Sequence, residues 1–217
     1  MRNDALIFDF DGTLTHLFVN YDFSERKRQM EEEMAGYGVT HGMEEGIFGV
    51  FDSVMRDIGW NDDAFSSADR IITEAELEAL WTCKPIEGAS DFIKCAVSLG
   101  IPVAFATNNS PLVVEKWLRN NEIIIDSPIF GRVGSRPDLM KPAPWTVTEA
   151  LLSSSGTGQA VMIGDNPRDR MAAERAGTRF IGLGTTERKY QRLIEKCSDC
   201  QIYRTYSELC FLLKNGE

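Results

Sequence analysis

Along this 217-residue chain the apolar positions gather into short runs, separated by longer stretches in which they recur every three or four residues. The runs are Leu6-Ile7-Phe8, Val103-Ala104-Phe105-Ala106, Ile129 to Val133, Ala160-Val161-Met162-Ile163, Phe180 to Leu183 and Gln201 to Tyr203. Short apolar runs without polar alternation read as strands buried on both faces. The stretches between them read as helices: Ala89 to Leu99, stopped at Gly100; a segment opened by Ser110 as N-cap and Pro111 as first helical residue; Ala143 to Ser153; Arg168 to Ala176, closed by Gly177; Glu187 to Lys196; and Ser207 to Leu213. Repeated strand–helix units predict an α/β fold, a parallel sheet with helices on both faces and functional groups at the strands' carboxyl ends.

One stretch departs from this alternation. Residues 15–86 contain no strand-like run, and their pattern is helical. Asp22-Phe23-Ser24-Glu25 has the form of a capping box, Met43, Ile47, Val50, Phe51, Val54 and Ile58 share one stripe, and Thr73-x-x-Glu76 predicts another helix start with Leu77, Leu80 and Trp81 facing inward. Between the first two helices lies a glycine-rich connection, Gly36-Tyr37-Gly38-Val39-Thr40-His41-Gly42. Charge marks the same boundary: residues 15–86 hold 15 acidic and 6 basic side chains, which is −9 of the chain's total of −10. A helical module spanning 15–86, inserted into a core formed by 1–14 and 87–217, is therefore expected.

That acidity argues against nucleic acid or an anionic membrane as a partner, because both are bound through Lys and Arg clusters. It leaves room for a small anionic ligand held by local groups. No run reaches transmembrane length, the N-terminus enters a strand at once without a signal-peptide pattern, and five cysteines in no regular framework fit reduced thiols, so a cytoplasmic location is expected. Cys197-x-x-Cys200 has no second cysteine pair, and only His16 and His41 could join it as imidazole ligands, so it reads as two ordinary thiols.

The chemistry lies where the strands end. The first runs into Asp9-Phe10-Asp11-Gly12-Thr13-Leu14. Two carboxylates crowded at a strand tip repel each other, and the pair is tolerable when a divalent cation adjoins it or when one carboxyl stays protonated. The second strand ends at Thr107, where a hydroxyl beside backbone N–H groups suits a phosphate oxygen. Lys141 precedes Pro142 and Pro144, which hold the backbone extended before a helix. A further strand ends in Gly164-Asp165-Asn166-Pro167-Arg168-Asp169, placing a second carboxylate in a first helical turn, where the helix dipole favours it.

In this order, Asp9-x-Asp11-Gly12-Thr13, Thr107, Lys141-Pro142-x-Pro144 and Gly164-Asp165-x-x-x-Asp169 match motifs I to IV of the haloacid dehalogenase-like hydrolase superfamily. The chain resembles its capped phosphatases, of the phosphoglycolate phosphatase type, over nearly its full length. The resemblance implies a Rossmann-like core with residues 15–86 as an α-helical cap, hinged near Leu14 to Phe18 and Cys83 to Gly88. It also implies a Mg²⁺-dependent phosphatase acting on a small phosphorylated metabolite through an aspartyl phosphate. Asp9 would then be the nucleophile and Asp11 the acid and base; the metal would be held by Asp9, the Asp11 carbonyl and Asp165, with Asp169 as anchor or water-mediated ligand. Thr107 and the backbone near Asn108 would bind phosphate oxygens, Lys141 would offset the clustered charge, and Tyr37, Thr40 and His41 would be specificity residues of the cap.

An Asp at position 11 resembles phosphatases and phosphomutases rather than haloalkanoate dehalogenases, whose halide needs no acid. A phosphomutase would share every residue named. A receiver-like signalling domain would lack the insert and the Asp9-x-Asp11 pair, and a non-catalytic binding protein on this fold would show losses among the motifs. One position departs from the pattern: related capped phosphatases carry an acidic residue two places after Asp-Gly-Thr-Leu, where this chain has His16. That departure weakens the case for phosphoglycolate itself as substrate.

Overall fold

The computed structural model describes residues 5–41, 46–154 and 160–215. Its strands are β1 (Ala5–Phe8), β2 (Val103–Ala106), β3 (Ile129–Phe130), β4 (Ala160–Gly164), β5 (Arg179–Leu183) and β6 (Gln201–Tyr203). Among the described residues they form one sheet in the order β3-β2-β1-β4-β5-β6, with every pairing parallel. The central strand β1 sets Phe8 opposite Phe105 on one side and Ile163 on the other. The carboxyl ends of β1, β2 and β4 are thereby level, and whatever follows each of them meets at one place.

Alternation along β1 divides the core into two layers. Leu6 and Phe8 pack with Phe92, Phe105, Trp117 and Tyr206, while Ile7 faces Ala104, Val147, Met162 and Ala172. Helices α4 (Ala89–Ser98), α5 (Pro111–Asn120), α6 (Trp145–Ser153), α7 (Pro167–Arg175), α8 (Glu187–Lys196) and α9 (Tyr206–Asn215) cover the sheet. Each fully buried aromatic or aliphatic side chain contributes about 1.5–3 kcal/mol through burial alone.

Between β1 and α4 lie α1 (Ser24–Gly36), α2 (Gly49–Asp57) and α3 (Asp62–Ala79), which bury a cluster of their own: Met30, Met34, Val50, Phe51, Val54, Phe65 and Ile72. The two connections to this insert run side by side, with Thr15 bridged to Pro85, the Ile86 N–H donating to Leu14 O at 2.8 Å and the Thr15 hydroxyl donating to Lys84 O at 2.8 Å.

Several local expectations are corrected. Thr73 starts no helix. It lies inside α3, whose N-cap is Asn61, accepting the Ala64 N–H at 2.9 Å. Trp81 does not face inward but is 89% exposed, because α3 ends at Ala79 and the chain turns before it. Asp22 caps no helix through its side chain and instead accepts the N–H and hydroxyl of Ser24. The third strand stops at Phe130, since the Arg132 N–H is taken by Asn109 O at 2.9 Å. Val50, Phe51 and Val54 are buried on α2 as the stripe predicts, with Ile47 and Ile58 packed beside them, and Met43 lies outside the described residues.

Candidate active site

Beyond Phe8 the chain leaves the sheet with Asp9 buried, Phe10 in the core and Asp11 half-buried. Gly12 permits the turn: its φ is +95°, and a Cβ there would stand 2.4 Å from both Asp165 Oδ2 and Lys189 Nζ. Leu14 closes the turn by donating to Phe10 O at 2.8 Å, and the Leu17 N–H donates to Asp11 Oδ1 at 2.8 Å. Thr13 points its hydroxyl at Asp9 Oδ2, 3.2 Å away.

From the neighbouring strand, β4 delivers Asp165, and Asn166 then caps α7 in a reciprocal capping box with Asp169, whose Oδ2 accepts the Asn166 N–H at 3.0 Å. Carboxylate oxygens of Asp9, Asp165 and Asp169 lie within 4.8 Å of one another, all three residues buried. Lys141 reaches into this cluster. Its Nζ stands 2.6 Å from Asp9 Oδ1, 2.6 Å from Asp169 Oδ1 and 2.9 Å from Ala106 O.

The loop after β2 holds that lysine in place. Asn108 Oδ1 accepts the Lys141 N–H at 2.7 Å while Asn108 Nδ2 donates to Lys141 O at 3.0 Å. Thr107 is fully buried, and its hydroxyl donates to Asn109 Oδ1 at 3.0 Å while accepting the Asn109 N–H at 3.1 Å. The side chains of Thr107 and Asn108 thus shape the loop, Asn108 by fixing Lys141.

Charge crowding shows in the titration of these groups. Burial, aided by the charges of Asp9 and Asp165, raises Asp11 to about 7 against the pull of the Leu17 N–H and Lys189. Asp165 and Asp169 are pushed upward, chiefly by burial and then by Asp9, with Lys189 and Lys141 respectively opposing. Burial alone would lower Lys141, but Asp169 and Asp9 outweigh it and carry its ammonium to about 12.

Three further side chains, Lys189, Arg132 and Glu76, have partners that the sequence motifs do not indicate. Lys189 of α8 pairs with Asp165 Oδ2 at 2.7 Å and donates to Gly12 O at 3.1 Å. Burial of His16 and, after it, the charge of Lys189 lower the pKa of that imidazole. Arg132 and Glu76 form a fully buried ion pair at 2.9 Å, with Glu76 also accepting from Asn109 Nδ2 at 2.8 Å and from the Ser110 N–H at 3.1 Å. Arg132 donates further to Asn108 O at 3.0 Å and to the Thr73 hydroxyl at 2.9 Å. Glu76 left a legible signal, a carboxylate on the apolar stripe of Phe65, Ala68, Ile72 and Ala79 in α3. Lys189 left none, sitting in a charged surface helix.

The structure does not bring Tyr37, Thr40 and His41 to this cluster. Asp57, at the end of α2, draws Thr40 and His41 to itself by accepting their backbone N–H groups at 2.5 and 2.8 Å and pairing with the imidazole. They line a separate cavity with Met30, Met34 and Val50, and Tyr37 closes α1 at the surface.

The family model for haloacid dehalogenase-like hydrolase matches residues 3–177. The chain belongs to that family. Its backbone is similar to that of a predicted phosphatase from Clostridium acetobutylicum (TM-score 0.65, 17% identity, 95% of each chain covered). CbbY from Rhodobacter sphaeroides, solved in complex with phosphate, is 25% identical over 83% of this chain and 85% of its own, with a TM-score of 0.57. A predicted phosphoglycolate phosphatase from Haemophilus somnus shares the fold at 16% identity and a TM-score of 0.60, with 93% and 94% covered. No curated protein matches the chain in sequence. Among the described residues no helix of this hydrolase is long and apolar enough to cross a membrane.

Proposed function

We propose that this hydrolase is a Mg²⁺-dependent phosphatase that cleaves a small phosphate monoester through a phosphorylated Asp9. The observation that carries the reading is the pairing of Asp9, held 2.6 Å from Lys141, with Asp11, a carboxyl near its midpoint at neutral pH. A general acid must hold a proton, which the burial of Asp11 favours, while Asp9 faces the Lys141 ammonium.

Asp9, Asp165 and Asp169 offer only oxygen donors, buried and mutually repelling, a set that fits a hard divalent cation. Asp9 and Asp165, with the Asp11 carbonyl, would hold Mg²⁺, and Asp169 would anchor Lys141 and the turn after β4. When bound, the ion supplies positive charge that lets a phosphate dianion approach the carboxylate. Lys141 would add to that charge at Asp9 Oδ1.

In the first half-reaction an Asp9 oxygen attacks phosphorus, the bond from phosphorus to the ester oxygen breaks, and the departing oxygen takes the Asp11 proton. In the second, the Asp11 carboxylate takes a proton from the water that attacks the acyl phosphate, releasing inorganic phosphate and restoring Asp9. Thr107 and the backbone near Asn108 bind the non-bridging oxygens, the Thr107 hydroxyl exchanging Asn109 for phosphate. Residues 15–86 act as the cap over this site, hinged where Thr15 meets Pro85.

Support also comes from the phosphate complex of the 25% identical CbbY. The deciding experiment is hydrolysis of a phosphate-ester panel by purified protein with Mg²⁺ and with chelator. Metal-dependent phosphate release that Asp9→Asn abolishes is the expected result; release that persists in a folded Asp9→Asn protein overturns the reading.

A further inference from the structure

Asp11 stands in the wall between two cavities. The smaller, about 160 Å³, holds Asp9, Lys141, Asp165 and Asp169. The larger, about 430 Å³, also has Asp11 in its lining, together with Phe18, Phe23, Ile47, Phe48 and Lys27. Phe48 borders both cavities. An ester whose phosphate occupies the small cavity, and whose bridging oxygen meets Asp11, therefore directs its alcohol part into the large one.

The walls of that second cavity are pre-built. Phe18 and Phe23 pack at a 49° tilt with ring centroids 4.8 Å apart, and Tyr21 packs edge-on against Phe23 at 4.9 Å. The Arg132 guanidinium lies 5.5 Å from the Phe48 ring centre and is itself fixed by the buried Glu76. Among the described residues of the lining, Lys27 is the one polar side chain apart from Asp11, and it is 59% exposed with Glu31 3.8 Å away. Hydroxyl groups of a sugar carried into this space would give up water without gaining partners. An apolar body would fill it at little ordering cost, and the volume falls in the range of small-ligand sites.

Resting on the phosphatase reading above, we infer that the substrate is a monoester of an apolar alcohol, of aralkyl or medium-length alkyl type, whose body packs between Phe18, Phe23, Ile47 and Phe48. Polyhydroxylated sugar phosphates and phosphoglycolate are poor substrates on this inference. Asp11 then protonates an alkoxide that is enclosed by aromatic rings on the side away from the carboxylates.

The test compares kcat/KM for ethyl, butyl and 2-phenylethyl phosphate and glucose 6-phosphate, all esters of primary alcohols, with Mg²⁺. The 2-phenylethyl ester is expected to exceed both the ethyl ester and glucose 6-phosphate by about 10- to 100-fold. Phe23→Ala should shrink the ratio of 2-phenylethyl to ethyl ester by about tenfold, with Phe23→Leu restoring most of it. Equal kcat/KM across the series, a preference for glucose 6-phosphate, or a ratio indifferent to Phe23→Ala overturns the inference while leaving the phosphatase reading intact. Calorimetric titration with 2-phenylethylphosphonate and ethylphosphonate decides the matter independently of turnover. The aralkyl compound should bind at least about tenfold more tightly, and equal Kd values overturn the inference even if no ester is hydrolysed.

Discussion

Lys141 Nζ lies 2.6 Å from Asp9 Oδ1, although 132 residues separate the two in sequence. The lysine is almost wholly enclosed and has Asp169 as its second carboxylate partner. It is thus the counter-ion of a cluster that would otherwise hold several buried negative charges.

Lys141→Met keeps the stem and removes the charge. Stranding buried carboxylates costs about 3–5 kcal/mol. The loss should be larger at pH 8 than at pH 5.5, where protonation of Asp169 relieves the repulsion, and Mg²⁺ should recover part of it. Thermal unfolding at both pH values, with and without Mg²⁺, checks this; a variant as stable as wild type at pH 8 without metal contradicts the role.

For Asp9→Asn the shape persists and the anionic nucleophile is gone. Turnover of every phosphate ester should fall by at least about 10⁴-fold, with circular dichroism and melting temperature near those of wild type. Rapid-quench trapping of labelled phosphate on the wild-type chain, absent from the variant, is the direct measurement.

Asp11→Asn separates two effects. Its loss of kcat/KM should be largest for alkyl phosphates and smallest for 4-nitrophenyl phosphate, whose anion departs unaided, and the wild-type rate on alkyl esters should decline as pH rises through about 7. Wild-type stability falls with rising pH as well. A carboxyl whose folded value is raised from 3.8 to about 7 gives its full stabilisation below pH 4 and loses it as pH climbs through 7. Asp11→Asn should therefore raise stability at pH 8 by about 1–4 kcal/mol and change it little at pH 4. Equal leaving-group losses, or a variant no more stable at pH 8, would count against this assignment.

Glu76 and Arg132 tie α3 of the insert to the loop that carries Thr107 and Asn108. Removing either partner strands the other in the interior, so Glu76→Gln or Arg132→Met should each cost about 3–5 kcal/mol, and the double variant distinctly less than the sum. Urea unfolding of the four proteins in the cycle measures the coupling. Strict additivity would mean that the two charges do not act as a pair.

The sheet, its helices and the four strand-tip segments were legible because each is local: an apolar run, a glycine turn, a capping residue. Asp9, Asp165, Asp169 and Lys141 could be grouped by resemblance; the register of β1 with β4 brings the carboxylates together, and Asn108 holds Lys141 beside them. Lys189 and Arg132 could not be read this way, since their partners Asp165 and Glu76 come from distant segments and neither cation sits in a distinctive local pattern. The surroundings of the loop from Tyr37 to His41 were illegible for the converse reason. Its glycines advertise a turn but say nothing of what the turn faces, and Asp57 decides that.

The side-by-side connections at Thr15 and Pro85 also bear on how the chain reaches its fold. Leu6 must find Val103, 97 positions away, and the cost of closing a loop rises with the logarithm of its length. The hydrogen bond from Ile86 to Leu14 excises the whole insert from that loop, so that once α1, α2 and α3 have formed among near neighbours, β1 and β2 are joined by an effective tether of only a couple of dozen residues. The stretch between Leu14 and Ile86 thus adds little to the topological burden of building the sheet.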